Sequence, residues 1–137
     1  MSTLTLVNHA QTVAKMYDAF TRGDIPYLLE NLSGNCTWIG AGKGSLPQGG
    51  TYIGKDAGNF FAKLNESEEF NAFNVEAIHN IGDNEVVAFG NMTGTSKATG
   101  RKMSSDWVMR FKFNDEGKAT YFQDFFDTAA AYIANQQ

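Results

Sequence analysis

From Asn8 to Arg22 the apolar residues Ala10, Val13, Ala14, Tyr17 and Phe20 recur at helical spacing and make one face of a helix. Gly23 stops it, and Asp24 is placed to N-cap a second helix, "IPYLLENL", with Pro26 tolerated in the first turn. "NCTWIGA" then alternates as a strand with Cys36, Trp38 and Gly40 on one face. The turn formers of "GAGKGSLPQGG" predict a loop, and "KDAGNFFAKLNE" predicts a third helix with Phe60, Phe61 and Leu64 inward. Four strands follow, Phe70–Ile81, Glu85–Lys97, Lys102–Asn114 and Lys118–Asp127, separated by "GDN", "ATG" and "DEG". Connections this short favour antiparallel hairpins. "TAAAYIANQQ" closes the chain as a short helix or tail. Helices first and an antiparallel sheet afterwards is an α+β plan, with a pocket expected between the two layers.

Composition narrows this without redirecting it. The 137 residues, 42% hydrophobic and 13% aromatic, suit one packed domain over 1–137, with no repeat or linker. A net charge of −4 without a basic cluster argues against nucleic acid as a partner. No apolar run approaches the ~18 residues of a membrane span. "MSTLTLVNHAQTV" lacks the basic and apolar regions of a signal peptide, and the single cysteine, Cys36, fits a reducing compartment; the expectation is a cytoplasmic protein.

Familiar chemical motifs are incomplete. "GAGKGS" has Gly44 where a phosphate loop needs Ser or Thr, and "LPQGG" is no helix start, so nucleotide is not expected. His9, His79 and Cys36 lack zinc spacing, and no G-x-S-x-G elbow is present, so neither metal nor cofactor is expected. His79 shares simple strand parity with Phe73, Val75, Ala77 and Ile81, which predicts a structural histidine. Trp38, Tyr52 and Trp107 carry polar atoms that need partners when buried, and could edge a cavity.

"AKMYDAFTRGDIPYLLENL", "CTWIG", "GGTYIGKDAGNFFAKL" and "GKATYFQDFFDTAA" resemble the SnoaL-like branch of the NTF2-like superfamily over nearly the whole chain. The superfamily includes ketosteroid isomerases, polyketide cyclases and limonene epoxide hydrolases. The resemblance implies a cone, a curved sheet wrapped on helices around a deep apolar pocket, and frequent dimers through the outer sheet face. It also places "GAGKGSLPQGG" near the pocket mouth, where it is expected to gate entry. The polar residues of the ketosteroid isomerases are missing. Their helix tyrosine falls at Met16, with Tyr17 one position off; their base falls at Gly40 and their oxyanion-hole acid at Trp107.

On the third of the four long strands, Ser105, Trp107, Met109, Phe111 and Phe113 share the face that matches the family pocket. Asp106, with Val108 and Arg110, is then expected on the convex face. There a two-fold dimer would bring Asp106 toward Arg110 of the other subunit. On the last strand, Phe122, Asp124 and Phe126 oppose Tyr121, Gln123, Phe125 and Asp127. Both sets carry aromatics, so parity alone leaves the inner face open. Aligning Gly117-Lys118 on the family puts Asp124 on the pocket wall, and Asp127-Thr128 reads as a cap of the C-terminal segment.

The expected function is therefore an enzyme, of isomerase or cyclase type, acting on a hydrophobic carbonyl or polyketide-like small molecule. Asp124 would be the general acid/base, and Trp38, Trp107, Met109, Phe122, Phe126, Tyr17 and Tyr52 would contact substrate. The alternative is a non-catalytic ligand-binding or dimeric assembly module. An epoxide hydrolase-like site would need an Asp-Arg-Asp set, for which only Arg22, Arg101 and Arg110 are available.

Overall fold

A computed structural model describes residues 8–137. The expectation that no leader is present rests partly on residues 1–7, which lie outside the described residues. The elements run α1 (His9–Thr21), α2 (Ile25–Glu30), β1 (Leu32–Gly40), β2 (Gly50–Ile53), α3 (Ala57–Ser67), β3 (Glu68–Ile81), β4 (Glu85–Ser96), β5 (Lys102–Phe113), β6 (Ala119–Phe126) and α4 (Thr128–Ala134). The caps at Asp24 and Asp127 are those the sequence predicts, and Asn8 adds a third. Asn8 accepts from the Gln11 N–H and Asp24 from the Tyr27 N–H, while Asp127 accepts from the Ala130 N–H at the start of α4.

One curved, open six-stranded sheet has the order β2-β1-β6-β5-β4-β3. The three long hairpins from β3 to β6 are antiparallel, as their short connections require. Two features were not expected. "GTYI" is a strand, antiparallel to β1, and β1 pairs with β6 in parallel, setting Trp38 beside Phe122. The helices α1 and α3 cover the concave face. Val13, Met16 and Tyr17 from α1 meet Trp38, Trp107, Phe111 and Phe122 of the sheet in one apolar core.

On β3, simple alternation fails. The register against β4 shifts between Phe70 and Ala72 and again between Val75 and Ala77. An extra residue at each bulge resets which side chains face inward. Phe70, Phe73 and Ile78 therefore all pack on the core, at spacings no regular strand allows. Val75 and Ile81 are instead exposed, and so is His79, whose ring lies 5.8 Å from that of Phe89. The shared parity read for His79 with Phe73 is thus corrected.

On β5, Trp107, Phe111 and Phe113 are buried and Asp106 is exposed, as expected. Arg110 does not await a partner subunit. Its Nε donates to Glu85 Oε2 at 2.5 Å from the adjacent strand β4, which holds the Glu85 carboxyl below its ordinary range. The Asp106–Arg110 argument for a dimer loses its unpaired cation.

Candidate active site

The sheet and helices enclose a small chamber of about 70 Å³. Its wall includes Asp124, Tyr17, Trp38, Met109 and Phe122, five of the residues singled out from the sequence. The others stand one layer back. Trp107 packs behind Tyr17 and Phe73, with ring centroids 5.4 and 5.0 Å away, and its indole N–H donates to the Asn91 carbonyl at 3.1 Å. Phe126 is half-buried beside Trp107 across the β5–β6 ladder. Tyr52 packs its ring on Phe60 and donates its hydroxyl to the Gln48 carbonyl at 2.9 Å.

Asp124 is 6% exposed. The burial of Phe122 and Asp124, with Phe125 exposed between Asp124 and Phe126, resolves the open question of which β6 face is inward. One carboxylate oxygen, Oδ1, accepts the Ala41 N–H at 2.6 Å, just beyond the end of β1. This bond and the residue's own N–H favour the ionised form, but burial outweighs them and pushes the carboxyl up to about 6. No cation offsets that burial, since none of the wall residues is Lys, Arg or His. Tyr17, in turn, is raised well above its ordinary value by burial and then by the nearby Asp124 charge. It stays a neutral phenol, with its hydroxyl 3.0 Å from Met109 Sδ.

Two more polar groups border the chamber and lack protein partners: Gln48 Oε1 and the Trp38 indole N–H. Buried polar atoms without partners are costly and uncommon, and these two line the same chamber as the Asp124 carboxyl. Sequence reasoning missed Gln48. The glycine-rich loop that carries it contributes Gln48 to the chamber wall. Ser45 and Leu46 N–H groups both bond the Gly42 carbonyl, and Leu46 is 5% exposed, so the segment folds inward as a wall. No residue of that loop lines the outer groove described below.

The isomerase positions are closed by packing. A Cβ on Gly40 would lie 2.7 Å from Phe60 Cε1 and 2.9 Å from the Gln48 carbonyl oxygen, so no aspartate fits there. Gly40→Ala should cost about 1–3 kcal/mol by overpacking, read as a lower urea midpoint; an unchanged midpoint would mean that Phe60 yields freely. Nor is an epoxide hydrolase-like set assembled. Arg22 pairs with Asp18 and Asp24, Arg101 reaches the Ile133 carbonyl, and Arg110 pairs with Glu85, all away from the chamber.

A second hollow, of about 800 Å³, opens to solvent between the α1–α2 turn, α3 and the start of β3. It shares Phe20, Phe61, Leu64, Phe70 and Phe73 with the chamber, so the two meet across one apolar partition.

A curved open sheet covered by N-terminal helices is the architecture of the NTF2-like class. The profile of the SnoaL-like domain matches residues 13–122, and the chain belongs to that family. An NTF2-like protein from Burkholderia thailandensis E264 superimposes with a TM-score of 0.85 at 25% identity, over 96% of this chain and 99% of the other. A proposed polyketide cyclase from Pseudomonas putida KT2440 superimposes with a TM-score of 0.76 at 18% identity, over 93% and 98% of the two chains. TerC, crystallised with polyporic acid, gives 0.79 at 24% identity, over 94% and 98%. In sequence, Patulin synthesis protein F of Aspergillus clavatus is 31% identical over 64% of this chain. The match spans 46% of that relative's length, so about half of the relative has no counterpart in it.

Proposed function

We propose that the protein is an enzyme of the SnoaL-like type, acting on a hydrophobic carbonyl or polyketide-like small molecule by general acid/base catalysis. The observation that carries this reading is a buried carboxyl, raised to about 6, on the wall of a largely apolar chamber whose lining holds no cation. A group that titrates near neutral pH is well matched to taking a proton from carbon and returning it. Asp124 Oδ1 is anchored by the Ala41 N–H, which leaves the second oxygen to the reacting atom. The Trp38 N–H is a donor without a partner and is suited to an enolate oxygen, and Gln48 Oε1 to a substrate hydroxyl. The proposed cyclase among the structural relatives supports the reaction class, and TerC with polyporic acid supports a ligand in this fold.

Proton transfer is testable before the natural substrate is known. Small enolisable ketones such as acetone and 2-butanone, incubated in D₂O, should exchange their α-protons faster with the protein than without it. The acceleration should vanish in Asp124→Asn. No acceleration across a panel of such ketones would favour the second reading, a ligand-binding or assembly module. The observation favouring that reading is the chamber's size: about 70 Å³ is far below the ~300–1,000 Å³ of ordinary small-molecule sites.

The proposal includes a homodimer through the outer sheet face. Phe89 on β4, Val108 on β5 and Phe125 on β6 are paired across the ladders and are 40%, 41% and 47% exposed, forming an apolar stripe. Light scattering should give a dimer, with Val108→Lys shifting it to monomer; a monomeric parent protein at micromolar concentration would remove the dimer. Among the described residues no helix is long and apolar enough to cross a membrane. A cytoplasmic location is the reading of the lone Cys36, whose thiol is buried and pushed up to about 11.

A further inference from the structure

We propose that chamber and groove are the two halves of one elongated site, and that Glu68 on the groove wall accepts a hydrogen bond from a hydroxyl at the outer end of an otherwise apolar ligand. This rests on the chamber being the reacting end, and it defines the substrate class: long, apolar in the middle and polar at both ends.

Size gives the first argument. The chamber is too small for a multi-ring molecule, whereas the groove, at about 800 Å³, lies within the range of ligand sites. The residues they share are Phe20, Phe61, Leu64, Phe70 and Phe73, of which Phe61 is buried. Phe20, Leu64, Phe70 and Phe73 are half-buried rather than locked in the interior, and Phe20 meets Phe73 and Phe70 edge-on at 5.2 and 5.9 Å. Phe70 and Phe73 ride the bulged start of β3, which is an edge strand of the sheet. Rotation of these rings would join the two hollows without moving a buried backbone.

Polarity gives the second. Glu68 pairs with Ser96 across β3 and β4, and both Glu68 Oε2 and Ser96 Oγ are buried without hydrogen-bond partners. The carboxyl lies where Gly94 has no side chain; a Cβ there would be 3.1 Å from Glu68 Oε1. Lys97, the one cationic residue of the groove lining, donates its Nζ to the Asn65 carbonyl at 2.5 Å and makes no ion pair with Glu68. Burial accordingly raises the Glu68 carboxyl above its ordinary value. A carboxyl on the groove wall, in no ion pair and with one buried oxygen short of a donor, is a site for a ligand O–H.

The probes are 4-heptylphenol and 4-(7-hydroxyheptyl)phenol, with binding measured by calorimetry to the full chain. In the parent protein the terminal hydroxyl should raise affinity relative to the alkyl probe. In Glu68→Ala that advantage should fall about tenfold, as expected for a lost bond to a carboxylate, while the alkyl probe binds as before. Amide resonances of Glu68 and Gly94 in the parent protein should move with the hydroxylated probe and not with its counterpart, which tests the contact even if Glu68→Ala folds poorly. Equal effects on both probes, or no binding of either, would overturn the proposal. If the Glu68 effect stands but Asp124→Asn leaves ketone exchange intact, the catalytic reading fails and the elongated site survives.

Discussion

Asp124→Asn is expected to lose about 10²–10⁴-fold of any turnover the protein shows, with ligand binding and fold retained. Asparagine keeps the shape of the side chain and an oxygen to accept the Ala41 N–H, but it has no titrating proton. The same substitution has a second, independent readout in stability. The folded-state carboxyl titrates at about 6 against an ordinary value of 3.8, so the folded chain holds this proton more tightly than the unfolded chain. Stability contributed by the protonated group is therefore complete below about pH 4 and declines as pH rises toward 6. Above that the loss is constant, at roughly 3 kcal/mol as an upper value. Urea unfolding of the parent protein should show this decline between pH 4 and 6, and Asp124→Asn should lack it. The variant should consequently be the more stable of the two at pH 7. A parent protein whose Asp124 contribution is flat with pH would mean that the carboxyl is hydrated or paired, and the case for its catalytic role would lose its physical basis.

Trp107→Ala is expected to destabilise the protein by about 3–5 kcal/mol, the range for deleting a large buried aromatic side chain. Trp107 is 1% exposed and joins three parts of the fold: its own strand, Tyr17 on α1 and Phe73 on bulged β3. It also supplies the N–H that satisfies the Asn91 carbonyl. Trp107→Phe should cost less, because most of the ring volume remains and only that donor is lost. Because Tyr17 and Phe73 line the chamber and Trp107 does not, the Phe variant should also loosen ligand binding through its neighbours. Chemical denaturation gives the stability order and probe binding the second effect; equal stability of the Ala and Phe variants would show that hydrogen bonding, not packing, fixes this position.

Local information settled the parts of the molecule that local physics governs. The apolar face of α1, the caps at Asp24 and Asp127, and the hairpins at "GDN", "ATG" and "DEG" depend on residues a few positions apart, so their signals stand in the sequence. Alternation placed Cys36, Trp38 and Gly40 on the buried face of β1 and Asp106 on the exposed face of β5 for the same reason. For Asp124 the pattern was ambiguous, because "TYFQDFFD" is aromatic on both faces; family resemblance, not periodicity, chose the inner side.

What alternation could not supply was anything that depended on distant backbone. The four-residue strand "GTYI" is too short to show a period and exists because β1 offers it an edge. Two bulges on β3, set by pairing with β4, turned His79 outward and brought Phe73 to the chamber wall. Gln48 stands in a stretch whose glycines and proline predict only a loop. Only the packing of Leu46 and the Tyr52 hydroxyl bond draw it inward. The sequence by itself determined an α+β chain with a carboxyl available on its last strand. Tertiary structure decided that this carboxyl would be buried without a cation and held by the Ala41 N–H, because desolvation and long-range hydrogen bonds belong to the folded surroundings and not to the residue.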